Sequence, residues 1–122
     1  NLGAALARQE RAAEAISHYR EALRVNPGLM QAHYGLAALL AGQGNFEEAI
    51  PHYREVLRLG HEFPEAHYNL GVALGHQGST EEAISHYREA LRADPTYTLA
   101  WVNLGIVLGH QGRIDEAVSC YR

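Results

Sequence analysis

The chain has 122 residues, of which 47% are hydrophobic and 20% charged, with a single Cys and a formal net charge of −4. This length allows one domain or an array of small units, but it does not allow two large domains. One Cys excludes a disulfide framework or a multi-Cys zinc site, and without a basic run nucleic acid binding has no electrostatic basis. No stretch is apolar enough to cross a membrane and no signal peptide opens the chain, so we expect a cytoplasmic protein.

The chain repeats itself at an offset of 34 residues. Segments 14–24, 48–58 and 82–92 are alike, and the triplets 1–3, 35–37, 69–71 and 103–105 recur at the same offset. A fixed period of this length indicates stacked supersecondary units. We therefore divide the chain into a partial repeat 1–29, repeats 30–63 and 64–97, and a partial repeat 98–122, and we expect it to be a fragment of a longer chain.

The first element of each repeat is predicted to be a helix. In the third repeat Ala66, Leu70 and Leu74 form an apolar stripe at helical spacing within residues 64–75. The glycines of segment 75–78 then permit the left-handed turn that closes a helix.

The second element is also predicted to be a helix. Ser79 in the third repeat and Asn45 in the second are good N-cap residues, and carboxylates follow them in the first turn. Pro27 and Pro95 prevent these helices from continuing. Neither helix buries its stripe alone, so neighbouring units must stack into an all-α solenoid of antiparallel helix pairs.

This pattern resembles the tetratricopeptide repeat family over the whole chain. The matching residues of the fourth repeat are Trp101, Leu104, Gly105, Leu108, Ala117 and Tyr121, and those of the third are Leu70, Gly71, Leu74, Ala83, Tyr87, Ala90 and Pro95. The resemblance implies a right-handed superhelical solenoid of about three and a half units. Within the family, the Asn-Leu-Gly triplets are most similar to the arrays of O-GlcNAc transferases and their bacterial relatives.

The same resemblance implies that the first helices line a concave groove that binds partners. The helix predicted over 98–109 is apolar nearly all round, which favours an exposed apolar patch if one side stays open. Two tyrosines add large contact surfaces with a polar tip. The partner-binding candidates are Tyr34, Ala38, Tyr68, Asn69, Val72, His76, Leu99, Val102, Asn103, Ile106 and His110.

Asn69 and Asn103 lie one repeat apart on this face. Asn1 holds the same position in the first repeat, whereas the second repeat has Gly35 there. An Asn amide both donates and accepts hydrogen bonds, so a ladder of them is suited to holding an extended backbone. The alternative is that each amide satisfies its own solenoid. The family's clamp of basic residues for a terminal carboxylate is absent, which argues against a peptide that ends in acidic residues.

No metal, cofactor or catalytic site is expected. His18, His52 and His86 are one repeat apart, about 10 Å, which is too far for two of them to share a zinc ion. His33 and His67 occupy the family's Trp position, where packing or hydrogen bonding within the stack is expected. No nucleophile, phosphate-binding or dinucleotide motif is present, so we expect no enzyme activity and no cofactor.

The sequence thus predicts a protein–protein interaction module that binds a peptide or extended segment, with neither nucleic acid nor membrane as partner. Two alternatives stay open. The chain is the substrate-recruiting region of a larger glycosyltransferase, or it is a scaffold that self-associates end to end through uncapped repeats.

Overall fold

The computed structural model describes residues 2–60 and 63–112, which form six α-helices and contain no strand. The helices are α1 (Leu2–Val25), α2 (Met30–Gly42), α3 (Phe46–Leu59), α4 (Pro64–His76), α5 (Thr80–Ala93) and α6 (Thr98–His110). Each helix packs on its neighbours in the chain, most extensively α2 on α3 and α4 on α5, and α2 also contacts α4. The predicted all-α solenoid is confirmed. The predictions for Asn1, Ala117 and Tyr121 fall outside the described residues.

The helix ends follow the local sequence. The Asn45 side chain caps α3 by accepting a hydrogen bond from the backbone N–H of Glu48 at 3.4 Å. Ser79 occupies the N-cap position of α5, but its side chain makes no capping hydrogen bond. Helix α1 ends two residues before Pro27 and α5 ends two residues before Pro95, as the prolines predict.

A glycine with positive φ follows each of the helices α2, α4 and α6. Gly44, Gly78 and Gly112 have φ values of 82°, 83° and 75°, in the left-handed region that side chains disfavour. The corresponding position of the first repeat holds Glu10. Helix α1 runs without a break through this position, where the period predicts a turn, because an L-residue seldom adopts the required conformation.

The core runs along the length of the solenoid. Its buried residues recur at the repeat period, with Leu and Ala from the first helices facing Ala, Ile and Tyr from the second helices. Tyr53 and Tyr87 are the largest of them, and only 1% and 3% of their surfaces are exposed. Because the core is continuous, each unit covers the apolar face of its neighbour.

Close approach of the two helices in a repeat requires a small residue at Gly71. A Cβ atom at this position would lie 2.8 Å from Cε1 of Tyr87 and 3.2 Å from the carbonyl oxygen of Ala83. Gly75, one turn later in α4, has room for a Cβ, whose nearest neighbour would be 4.0 Å away. The tyrosine ring therefore packs directly on the backbone of α4.

Charged side chains concentrate on the second helices. Arg20 pairs with Glu48 at 2.6 Å and Arg54 pairs with Glu82 at 3.3 Å, so ion pairs link the second helices of successive repeats. These groups are about half exposed, so each pair contributes at most about 1 kcal/mol. Further pairs at i, i+3 are Glu21–Arg24, Glu55–Arg58 and Glu89–Arg92.

We expect Gly71→Ala to lower the free energy of unfolding by about 1–3 kcal/mol, because the new methyl group must displace Tyr87 or part the two helices. Gly75→Ala in the same helix is the matched control. It should raise stability by about 0.5–1 kcal/mol, since Ala is the better helix former and has space there. Urea denaturation of both variants measures these changes. Equal stability of the two variants would contradict the proposed packing.

Candidate functional site

The first helices carry almost no charge. Helices α2, α4 and α6 together contain one carboxylate, Glu65, and no Arg, whereas α3 and α5 hold several residues of each sign. We call their candidate contact residues the first-helix surface. It consists of Tyr34, Ala38, Tyr68, Asn69, Val72, Leu99, Val102, Asn103 and Ile106. This surface can attract a ligand through apolar contact and hydrogen bonds rather than through charge.

Helix α6 supplies the apolar part of this surface. The exposed fractions of Leu99, Val102 and Ile106 are 57%, 38% and 44%, while Leu104 and Leu108 on the opposite side are buried. The exposed apolar patch that the sequence predicts is therefore present on α6. An exposed cluster of large aliphatic side chains is typical of an interaction site.

Tyr34 and Tyr68 are half buried and pack within the solenoid as well as lining its surface. Each ring contacts the buried tyrosine of its own repeat and an aromatic residue just before the next first helix. The ring pairs are Tyr34–Tyr53, Tyr34–Phe63, Tyr68–Tyr87 and Tyr68–Tyr97, with centroids 6.1, 5.0, 5.9 and 5.3 Å apart. The sequence analysis did not single out Phe63 or Tyr97, although their shared offset of 34 was a usable signal.

The two asparagines connect neighbouring first helices. Nδ2 of Asn69 donates to the Tyr34 hydroxyl at 3.1 Å, and Nδ2 of Asn103 donates to the Tyr68 hydroxyl at 3.0 Å. The sequence left two alternatives open for these amides, contact with a ligand or a hydrogen bond within the solenoid. The structure shows the hydrogen bond within the solenoid for one N–H of each amide. An Asn side chain has further donor and acceptor capacity, so contact with a bound backbone is compatible with these hydrogen bonds.

Gly35 of the second repeat holds the position that Asn69 and Asn103 hold in the later repeats. The ring of Tyr19 occupies the space beside this glycine. A Cβ at Gly35 would lie 2.5 Å from Cζ of Tyr19. Beside them lies an open pocket of about 440 Å³. Its lining residues are Tyr19, Met30, Gln31, Tyr34, Gly35 and Phe63.

His76 and His110 lie at the C-terminal ends of α4 and α6. The His76 ring stacks on Phe46, with centroids 4.3 Å apart and an angle of 4° between the planes. His110 lines a second open pocket, next to Thr80 and Val107. Both rings are exposed and are accessible to a ligand.

The histidines in the Trp position hydrogen-bond within the stack, as expected. Nε2 of His33 lies 2.7 Å from the carbonyl oxygen of Pro27, as Nε1 of Trp101 lies 2.8 Å from that of Pro95. Only a protonated nitrogen can donate to this carbonyl, so His33 carries its proton on Nε2 and its Nδ1 accepts.

A second histidine provides the donor for that Nδ1. His33 and His52 approach with their Nδ1 atoms 3.0 Å apart, and His67 and His86 do the same at 3.1 Å. We call these the dihistidine pairs. Burial lowers the pKa of His52 and of His86, and the neighbouring histidine lowers it further.

The sequence analysis compared His52 and His86 only with each other and with His18, whereas the structure shows both of them half buried and paired with a histidine of the same repeat. The recurring spacing of 19 residues was the available signal. It was missed because histidines were compared only one repeat apart.

In the described part of the chain, there is no group of three or more His, Cys, Asp or Glu side chains that could hold a metal ion. None of the six described helices is long and apolar enough to cross a membrane.

Comparisons with known proteins agree with this architecture. A family model described as tetratricopeptide repeat matches residues 1–60 and 39–98, and a second model of the same description matches residues 86–119. No curated protein matches the chain significantly in sequence.

Solved structures show the same fold at low sequence identity. A crystal structure of MamA superposes with a TM-score of 0.89 at 24% identity, covering 99% of this chain and 71% of MamA. MamA from Desulfovibrio magneticus RS-1 gives 0.87 at 23% identity, covering 98% and 67%. YrrB, whose structure is described as a TPR protein with an unusual peptide-binding site, gives 0.83 at 23%, covering 93% and 59%.

A double-mutant cycle tests the link between Asn69 and Tyr34. We expect Asn69→Ala and Tyr34→Phe to show a coupling energy of about 0.5–1.5 kcal/mol, the net contribution of one hydrogen bond. Urea denaturation of the single and double variants provides the measurement. The Asn103–Tyr68 cycle should give a similar value, whereas additive effects in both cycles would show that these hydrogen bonds do not form in solution.

Stability should decrease in alkali because two core tyrosines resist ionisation. Burial raises the pKa of Tyr53 and of Tyr87 to about 12, against about 10 in the unfolded chain. The stability that the two neutral tyrosines contribute to the folded state is thus retained below about pH 10 and lost as pH rises toward about 12. Urea midpoints across this range measure the loss. Tyr53→Phe, which keeps the ring, should reduce the dependence, and an unchanged slope would contradict the assignment.

Proposed function

This chain belongs to the tetratricopeptide repeat family, and we propose that it is a protein-interaction module whose first-helix surface binds an extended peptide segment of a partner protein. The observation that carries the proposal is the exposed aliphatic patch of Leu99, Val102 and Ile106 on α6, the helix whose Asn103 hydrogen-bonds with Tyr68 of α4. The mechanism is recognition by a preformed surface, without catalysis or a cofactor.

The aliphatic patch provides the apolar contact. Its side chains are held on a helix whose other side is buried, so binding would cost little backbone order. Val72 of α4 is half buried and continues the surface toward the preceding repeat. Side chains of a bound segment would lie against these positions, and burying them would supply most of the affinity.

The amides provide contacts that do not depend on the sequence of the ligand. Asn69 and Asn103 are separated by one repeat, and each is held in place by its hydrogen bond to a tyrosine hydroxyl. Amides that are already oriented lose little side-chain entropy on binding. They are well placed to pair with backbone groups of an extended chain, while the apolar patch selects its side chains.

The charge of the surface narrows the class of ligand. Glu65 is the one carboxylate among α2, α4 and α6, and no Arg or Lys is present to receive an acidic group. Acidic segments would therefore be unpaired on this surface, whereas a neutral or basic apolar segment would meet no repulsion. The description of YrrB as a peptide-binding TPR protein is consistent with this class of partner.

A displayed library of random peptides tests the proposal on the purified chain. We expect the selected peptides to be apolar and poor in Asp and Glu, and Leu99→Asp with Ile106→Asp to weaken their affinity at least ~10-fold. Both side chains are exposed, so the double variant should keep its helical circular dichroism. Fluorescence anisotropy with a labelled peptide measures the affinity.

The matched control places the same charges on the second helices, as Ser17→Asp with Ser85→Asp, at two exposed positions one turn or more from the helix ends. This variant should bind like the unmodified chain. Equal affinity of the first-helix variant and the unmodified chain, or an equal loss in the control, would exclude the first-helix surface as the binding site.

A further inference from the structure

The dihistidine pairs place four imidazole nitrogens in two repeated arrangements that the proposed peptide site does not use. Each pair joins the first and second helices of one repeat, α2 to α3 in one case and α4 to α5 in the other. The two Nδ1 atoms of a pair are 3.0 and 3.1 Å apart. Imidazole nitrogen is the protein ligand that Zn²⁺, Ni²⁺ and Cu²⁺ share.

We propose that each dihistidine pair binds one divalent transition-metal ion of the nickel and copper class through its two Nδ1 atoms. The proposal is independent of peptide binding on the first-helix surface. The remaining coordination positions would be filled by water, because the described residues offer no third His, Cys, Asp or Glu that completes a ligand group.

The separation of the nitrogens favours these metals over zinc. With metal–nitrogen bonds of about 2.0–2.1 Å, nitrogens 3.0–3.1 Å apart subtend an angle of about 95° at the ion. Square-planar and octahedral ions place neighbouring ligands near a right angle, whereas tetrahedral zinc requires a wider angle and a longer separation. The separation of the two nitrogens therefore suits the right angle of Ni²⁺ or Cu²⁺ better than the wider angle of tetrahedral zinc.

The protonation of His33 already suits a metal ligand. Its Nε2–H donates to the carbonyl oxygen of Pro27 at 2.7 Å, which leaves the lone pair on Nδ1. A ligating histidine commonly holds its second nitrogen in this way, because the hydrogen bond fixes both tautomer and ring orientation. The preformed bond to Pro27 is an observation separate from the distance between the rings.

In the metal-free pair, Nδ1–H of His52 donates to Nδ1 of His33. Metal binding removes this hydrogen bond, and exchange with water moves the His52 proton from Nδ1 to Nε2. Both rings stay neutral, and both Nδ1 lone pairs then turn from the line between them toward the ion.

Nearby charges do not oppose a cation. His52 interacts electrostatically with Glu48 and Arg20, which are ion-paired with each other at 2.6 Å. His86 interacts with Arg54, Glu82 and Glu89, a set with one more carboxylate than guanidinium groups. Glu82 is ion-paired with Arg54 and Glu89 with Arg92, so the local charge is balanced at both dihistidine pairs.

The fourth repeat supplies the control substitution. Trp101 occupies the position of His33 and makes the same hydrogen bond, through its Nε1, to the carbonyl oxygen of Pro95 at 2.8 Å. An indole in this position cannot ligate a metal, since its nitrogen only donates. His33→Trp and His67→Trp should therefore keep the fold and remove one metal site each.

Calorimetric titration of the chain, without an oligohistidine tag, against NiCl₂ and CuSO₄ in a non-coordinating buffer tests the proposal. We expect about two ions per chain, one for each pair, with the number falling to about one in His33→Trp and to none in the double Trp variant. A rise in melting temperature with metal should accompany binding, because the ion joins the two helices of a repeat. The double variant should show no such rise.

Two further variants guard against misfolding and adventitious binding. His52→Gln with His86→Gln removes a ligand from each pair without placing indoles in the stack, and it should also abolish binding. His18→Ala changes an exposed histidine at the same repeat offset and should leave the stoichiometry unchanged. Absence of binding to the unmodified chain, or stoichiometry that persists in the well-folded double variants, would overturn the proposal.

Discussion

In the described part of the chain, the solenoid depends on the tyrosines of the second helices, which pack on the first helix of their own repeat or of the next. Tyr87 lies directly on the backbone of α4 at Gly71, and Tyr19 lies in the same way on the backbone of α2, the first helix of the next repeat, at Gly35. A ring of this size buries a large apolar area and tolerates only a small residue beneath it. The contact therefore sets both the distance within a repeat and the distance between successive first helices.

The candidate peptide-binding surface is built directly on this packing. Tyr34 and Tyr68 contact the buried tyrosines on one side and receive hydrogen bonds from Asn69 and Asn103 on the other. The surface residues are thus held by the core rather than by loops, and binding sites on rigid elements lose less entropy when a ligand binds. The same contacts explain why substitutions of these tyrosines would change stability together with binding.

The two helices of a repeat differ in the chemistry of their exposed sides. Second helices carry ion pairs that run from repeat to repeat, while first helices carry apolar and amide groups and a single carboxylate. The dihistidine pairs lie between the two helices, where half-buried imidazoles replace the Trp of the family pattern. The proposed peptide surface and the proposed metal-binding nitrogens thus occupy separate parts of one architecture.

The sequence by itself determined the helices, their period and the identity of the buried stripe, because helical spacing, capping residues, glycine turns and prolines act over a few neighbouring residues. It also indicated the exposed patch of Leu99, Val102 and Ile106, since a helix that is apolar all round cannot bury every side in a two-layer array. The narrower resemblance to transferase arrays stays a prediction. Only the tertiary structure decided which polar groups meet. Asn69 hydrogen-bonds with a tyrosine of the preceding repeat, and His33 pairs with His52 of the other helix in its repeat. Sequence spacing shows only which face of a helix a residue occupies. Whether two polar atoms come within hydrogen-bond distance depends on the rotation and separation of the packed helices.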